Sequence, residues 1–170
     1  MAGCPYTSYD FSNTGYERGH MCPAADQRWS EQAMKDCYVM TNMCPQLRAI
    51  NSGAWATLEN KERTWAKRDR SIWIVCGPIY EEGIDQQRIG PSSVRVPDAF
   101  FKAFLCYNEF KEPRAIAFVY PNASAPGDMK KYSMTIDALE ELTGYDFFPA
   151  LPDDIENEIE AADSYDEWNK

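Results

Sequence analysis

Residues 51–68 run for eighteen positions without a proline, and Trp55, Leu58, Glu62 and Trp65 recur among them at helical spacing. That periodicity predicts one long helix, with Asn51 as a good cap residue at its start. The pattern then switches. Residues 71–76, 94–96, 100–107 and 115–120 are short apolar runs separated by glycine, proline or charged turns, which predicts strands. Residues 134–142 revert to helix, with Ser133 as cap and Gly144 as stop; 152–162 predict a second, very acidic helix with Asp153 and Asp154 at its N-terminal end. Ahead of the long helix, 29–36 reads as a short helix capped by Ser30, 37–41 as a short strand, and 1–15 as an irregular entry. The sum is an α+β chain: an antiparallel sheet flanked by helices.

With 170 residues, 44% of them hydrophobic, the chain can bury one core and is short for two, so 1–170 is read as a single domain. No apolar run approaches the roughly 20 residues of a membrane span. The start, Met1-Ala2-Gly3-Cys4-Pro5, has neither the basic nor the apolar part of a signal peptide, so the chain reads as soluble, with export left open. The net charge of −10 argues at first against a polyanionic partner, but its distribution reverses that reading. Residues 137–170 carry 12 acids and one base, whereas 1–136 carry 16 bases against 15 acids. The acidity is a C-terminal property, and the stretch 46–70 is locally basic. Six cysteines show no CxxC pair, which gives a structural zinc site little support. Cys76 and Cys106 lie in apolar runs and read as buried thiols; a disulfide between Cys22 and Cys44 stays open, since its geometry is not readable from sequence.

The chemistry concentrates between positions 18 and 63. His20 is the only histidine, and imidazole alone among unperturbed side chains titrates near neutral pH. Asn42, Asn51, Glu59, Arg63 and Arg18 complete a set of amides, a carboxylate and arginines. Cleaving a phosphodiester needs an activated water, stabilisation of growing negative charge and help for the leaving oxygen. A neutral imidazole can take the proton from water, and one Mg²⁺ held by few protein oxygens can clamp the phosphate. Arg18 shares a strand face with His20 if that segment is extended. Arg63, four residues after Glu59, either pairs with it or reaches a phosphate. Each residue also has a plainer reading: Asn51 as a helix cap, Glu59 and Arg63 as a solvated helix face, and Trp55 and Trp65 as core.

The order Glu17-Arg18-Gly19-His20, then Met40-Thr41-Asn42-Met43-Cys44-Pro45-Gln46, then Asn51-Ser52-Gly53-Ala54-Trp55 with Glu59 and Arg63 downstream, resembles the DNA/RNA non-specific endonuclease family. This is the Serratia-nuclease and endonuclease G type of His-Me finger, or ββα-metal, nuclease. The resemblance implies a ββα-metal core over about 16–69 and an acidic helical C-terminus over about 133–170. It implies His20 as general base, Asn51 as the direct ligand of Mg²⁺ (Mn²⁺ often substituting), and Glu59 acting on the metal through water. Arg18 and Arg63 would stabilise phosphate charge, and Asn42 would support the site from the neighbouring strand. The implied activity is hydrolysis of DNA and RNA to 5′-phosphate ends, in a secreted or periplasmic setting, with contacts to phosphate and sugar and not to base edges.

Two departures qualify the expectation. Glu17 stands where the family has aspartate, one methylene shorter. The signature also starts at residue 17, whereas in the family it lies behind N-terminal strands, so the domain is N-terminally short. Missing strands would leave a sheet edge open, and a second copy in a homodimer is one way to finish it. The alternatives are a narrower nuclease, a truncated inactive domain that binds nucleic acid or a partner protein, and a zinc-stabilised cysteine-rich module.

Overall fold

The structure, a computed structural model, describes residues 5–83, 86–108 and 110–170. After a 3-10 turn at Ser8–Phe11 come β1 (Tyr16–His20), α1 (Glu31–Asp36), β2 (Met43–Leu47), a π-helical segment at Ile50–Trp55 and α2 (Ala56–Asp69). The second half holds β3 (Ile72–Ile79), β4 (Arg88–Ile89), β5 (Val94–Arg95), β6 (Ala99–Tyr107), β7 (Pro113–Pro121), β8 (Ser133–Met134), α3 (Ile136–Thr143), α4 (Asp153–Glu160) and α5 (Tyr165–Trp168). The expected α+β architecture is therefore present. The main sheet is antiparallel in the order β3-β6-β7-β8; β1 pairs with β2, and β4 with β5, in separate two-stranded ribbons.

Side chains on a strand alternate between its two faces, and β6 and β7 are apolar on both. Phe100, Phe104, Cys106, Ile116, Phe118 and Tyr120 pack with Trp55, Leu58 and Trp65 of the long helical stretch and with Trp168 of α5. Phe101, Ala103, Leu105, Ala115 and Ala117 pack instead with Ile136 and Leu139 of α3, Phe147, and Ile159 of α4. The result is three layers, helix on sheet on helix. Trp55 and Trp65 are core residues, as their spacing suggested. A smaller cluster of Phe11, Met43, Ile89, Val94 and Val96 ties the entry segment to β2 and the β4-β5 ribbon.

Several local expectations are corrected. Residues 37–41 are not a strand: they turn into a 3-10 segment at Met40–Asn42, and the strand begins at Met43. Asn42 Nδ2 donates to the carbonyls of Cys37 and Cys22, which bends this stretch back on itself. Ser133 is in β8, and Thr135 caps α3 by accepting from the Ala138 amide; Gly144, at φ 70°, does end that helix as expected. Asn51 caps nothing: the chain passes through it inside the π-helical turn, with Gly53 at the non-helical φ −108°, ψ −111°. α5 was not foreseen.

The finger formed by β1 and β2 is attached to the main sheet by polar contacts. Asn122, just beyond β7, accepts from the Leu47 amide (2.9 Å) and donates to the carbonyls of Pro45 and Pro97. Gly19 has no room for a side chain, because a Cβ there would lie 2.0 Å from the buried amide of Gln46 on the paired strand. At the far side of the sheet, β3 has no strand beside it among the described residues, and its Trp73, Ile74 and Val75 are exposed.

Candidate active site

β1 ends at His20, and two hydrogen bonds fasten it to the turn that carries Asn51. Trp55 Nε1 donates to the His20 carbonyl at 3.2 Å, and Asn51 Nδ2 donates to Glu17 Oε2 at 2.8 Å. One bond starts four residues after Asn51 and the other lands three residues before His20, so they clamp the two segments side by side. The second bond also sets the amide. A carboxylate only accepts, so the nitrogen of Asn51 must face Glu17, and its oxygen is left as the ligand-competent group. Glu17 is held from its other side by Arg48 at 3.2 Å. The longer side chain at position 17 therefore keeps a carboxylate where it orients Asn51.

His20 is half-buried, with its ring edge-on to Tyr38 (centroids 5.0 Å apart, 89° between planes). Its Nε2 is shielded from solvent and has no hydrogen-bond partner among the described residues. Burial, and secondarily the charge of Arg18, holds its pKa below the ordinary 6.5. Both disfavour the imidazolium, so the ring is a neutral base at physiological pH. Arg18 is exposed on the same strand, two residues away, as expected for an extended segment.

Glu59 is half-buried in the first turn of α2. Burial raises its pKa from the usual carboxylate value, opposed by Lys102 and Arg63. Of the two sequence alternatives for Arg63, its pairing with Glu59 does not occur. Arg63 Nη1 binds Asp26 at 2.8 Å and Nη2 binds Asn60 at 2.8 Å. Asn42 lies in the turn before β2 and not in the strand, and its amide is fully used: Oδ1 accepts from the Cys22 amide, while Nδ2 serves Cys22 and Cys37. Its part is to fold the segment that follows His20. The basic stretch after Arg63 is partly structural too, since Arg68 binds Asp69 and the carbonyls of Trp168 and Lys170.

A cavity of about 640 Å³ opens beside this grouping and not over it, between residues 21–27, α2 and β3. Asn42, Asp26, Arg63, Glu62 and Lys102 border it, with Ile72, Ile74 and Cys76 as its apolar wall. Within it Lys102 Nζ meets Glu62 Oε2 at 2.6 Å, both side chains 1% exposed. Burial pushes the Glu62 carboxyl up to about 8, against the pull of Lys102. Lys102 went unnoticed in sequence, although a lone charge inside the apolar run of β6 signals a buried partner. Nothing local in the sequence marks Asp26 as the partner of Arg63. The five cysteines described are free thiols, the pair Cys22 and Cys44 included, and burial raises Cys44 and Cys76 to about 12. Thiols held protonated this firmly are poor metal ligands. No histidine or cysteine among the described residues joins a group that could hold a metal, which leaves the zinc module without a site.

Residues 2–154 match the DNA/RNA non-specific endonuclease family. The mitochondrial nuclease of Saccharomyces cerevisiae is 38% identical over 161 residues, covering 84% of this chain and 49% of that protein. The mitochondrial nuclease EXOG of Xenopus laevis is 34% identical, covering 87% and 45%, and human mitochondrial endonuclease G 29% identical, covering 85% and 52%. The chain thus spans about half the length of these curated relatives. All three are named mitochondrial and none secreted or periplasmic. Among solved structures, a chain from the crystal structure of the EndoG/EndoGI complex, which concerns EndoG inhibition, superposes with a TM-score of 0.81 at 25% identity over 86% of this chain and 64% of that one. No helix among the described residues is long and apolar enough to cross a membrane. The three sequence blocks, the paired β1–β2 finger followed by a long helix, and the family match over residues 2–154 agree: this protein belongs to the DNA/RNA non-specific endonuclease family.

Proposed function

We propose that this protein is a Mg²⁺-dependent endonuclease that hydrolyses DNA and RNA to 5′-phosphate ends, with His20 as general base. The observation that supports the reading is the crossed pair of bonds, Glu17 to Asn51 and Trp55 to the His20 carbonyl, which holds the strand end that carries His20 against the turn that carries Asn51. One such oxygen, with Glu59 half-buried on the following helix and no thiol in play, suits a hard and strongly hydrated cation. Asn51 would hold Mg²⁺ (or Mn²⁺) directly and Glu59 would act on it through water. The ion, when bound, supplies positive charge for the non-bridging and leaving oxygens.

The chain's own residues do the rest. The His20 imidazole takes the proton of the attacking water, and its lowered pKa keeps it ready to do so. Arg18, exposed beside it, faces incoming phosphate. Arg63, anchored by Asp26, offers its guanidinium as a fixed charge at the cavity rim. The inhibition of EndoG in the EndoG/EndoGI complex makes an inhibitor a candidate partner here as well.

Digestion of plasmid and RNA with Mg²⁺, with and without EDTA, tests the reading. His20→Ala and Asn51→Ala should each lose at least about 10²-fold in rate while melting like wild type. Equal nicking by wild type and His20→Ala would remove His20 from the mechanism. Because the base works neutral and its pKa is depressed, wild-type cleavage should persist below pH 6.5, and Arg18→Gln should shift the acid limb upward. Rising salt should slow cleavage, since phosphate contacts release counterions.

A second reading rests on the β3 edge, which has no strand beside it among the described residues: a domain that binds nucleic acid or a partner without cutting. DNA binding by wild type with no cleavage at any Mg²⁺ concentration would select it. Pairing of two copies along β3 would give a homodimer its surface, and a monomer in sedimentation at micromolar concentration would remove that pairing.

A further inference from the structure

On the face of the sheet away from α2, five carboxylates converge with no base among them. Asp137 and Glu140, three residues apart on α3, stand opposite Glu160, the last residue of α4, with Asp146 and Glu156 adding negative charge. None of the five has an ion pair among the described residues. One oxygen each from Asp137, Glu140 and Glu160 lies within 4.8 Å of the others. A cluster of acids on a surface is ordinary. Glu160 is not on the surface: it is 6% exposed, and its Oε1 is closed off from solvent without a hydrogen-bond partner among the described residues.

The cost of that burial is not met by the protein. No amide among the described residues donates to Glu160, and that of Phe147 donates to Glu140 at 2.7 Å. Glu160 also sits at the C-terminal end of its helix, where the backbone dipole adds further negative potential. Leaving an ionised carboxylate so placed costs several kinds of repulsion at once. Two remedies exist: a proton or a cation. The proton is favoured by the upward shift of Glu160 to about 7, but it serves only one of the five groups.

We infer that Asp137, Glu140 and Glu160 form a binding site for a hard divalent cation of the Ca²⁺ class, joining α3 to α4 and separate from the His20–Asn51 grouping. Ca²⁺ takes carboxylate oxygens at about 2.3–2.6 Å in flexible geometry, so two oxygens sharing it stand up to about 5 Å apart, which accommodates this trio. Mg²⁺ demands about 2.0–2.1 Å and near-ideal octahedral order, a narrower fit. Glu140 keeps one oxygen for the Phe147 amide and has the other for the ion. The ion's effect is to hold the two acidic helices together against their own charge, over the apolar contacts of Ile136, Leu139 and Ile159 with the sheet.

Thermal melting in chelator-treated buffer, with Ca²⁺ added at constant ionic strength, tests this without reference to nuclease activity. At about 100 times Kd, Ca²⁺ should raise the wild-type Tm by roughly 5–10 °C. Asn51→Ala should retain the whole rise. Glu160→Gln should lose it, and so should Asp137→Asn, an exposed change that leaves the apolar packing untouched. Tb³⁺ luminescence sensitised by protein tyrosine should report one site fewer in Asp137→Asn than in wild type. No rise in wild type, an equal rise in Glu160→Gln or Asp137→Asn, or a rise abolished by Asn51→Ala would each overturn the site.

Discussion

Two glutamates are buried on opposite faces of one sheet, and they are treated in opposite ways. Glu62, on α2, is 1% exposed and has Lys102 at 2.6 Å; Glu160, on α4, is 6% exposed, and the charged groups that shift it are all carboxylates, with no ion pair among the described residues. Both are pushed up by burial, one to about 8 and the other to about 7. The difference is where compensation comes from. On the α2 face the chain supplies its own countercharge from the middle of β6, with the Trp55 ring 5.1 Å from Lys102 Nζ. On the α3–α4 face it supplies none, so the state of Glu160 depends on pH and on ions in solution. A buried charge that the fold itself neutralises is architecture; one that it leaves open responds to solution conditions.

Breaking the first pair should have the largest effect on stability. Lys102→Met leaves Glu62 buried and unpaired and should cost about 3–5 kcal/mol in urea unfolding. Adding Glu62→Leu to it should recover most of that loss, because an apolar pair of similar volume replaces the ions without desolvation. A double variant as unstable as Lys102→Met would show that packing, and not charge, sets the cost.

The second glutamate should behave in the opposite sense. Without divalent ions, Glu160→Gln should raise stability by roughly 1 kcal/mol at pH 8, a Tm gain of about 2–4 °C. The sign with pH follows from the direction of the shift. A carboxyl whose folded pKa, about 7, exceeds its unfolded value of 4.5 binds more protons in the folded state between those limits. Its contribution is therefore fully present below about 4.5 and is lost as pH rises through 7. The gain from Glu160→Gln should accordingly shrink towards pH 5; a gain independent of pH between 5 and 8 would mean that Glu160 is not the titrating group. The smallest effect should come from Asp137→Asn, which at pH 8 relieves repulsion at an exposed position and should add only a few tenths of a kcal/mol.

Where sequence reading succeeded, the signal was periodic or chemically scarce. The long helix showed itself through Trp55, Leu58 and Trp65, the central strands through unbroken apolar runs, and the sole histidine by being alone. It failed where a local propensity met a tertiary bond. Asn51 looks like a cap and is instead claimed by Glu17, thirty-four residues earlier. Glu59 and Arg63 sit at pairing distance on a helix, yet Asp26 takes the arginine. Residues 37–41 have strand composition, but the Asn42 amide folds them into a turn. In the first two cases the deciding partner is remote in sequence, and no window of neighbouring residues contains it; in the third, Asn42 is adjacent but bonds both to nearby Cys37 and to Cys22, twenty residues earlier.

By itself the sequence determined the fold class, the two-faced apolar strands and the three blocks that place the chain in its family, because periodicity and residue type act over a few neighbouring positions. Only the tertiary structure decided which carboxylate turns the Asn51 oxygen outward, which charge Arg63 and Glu62 each take as partner, and that Glu160 is buried with none. Burial and hydrogen bonding are properties of what surrounds a group in space, and the chain carries that information only once it has folded.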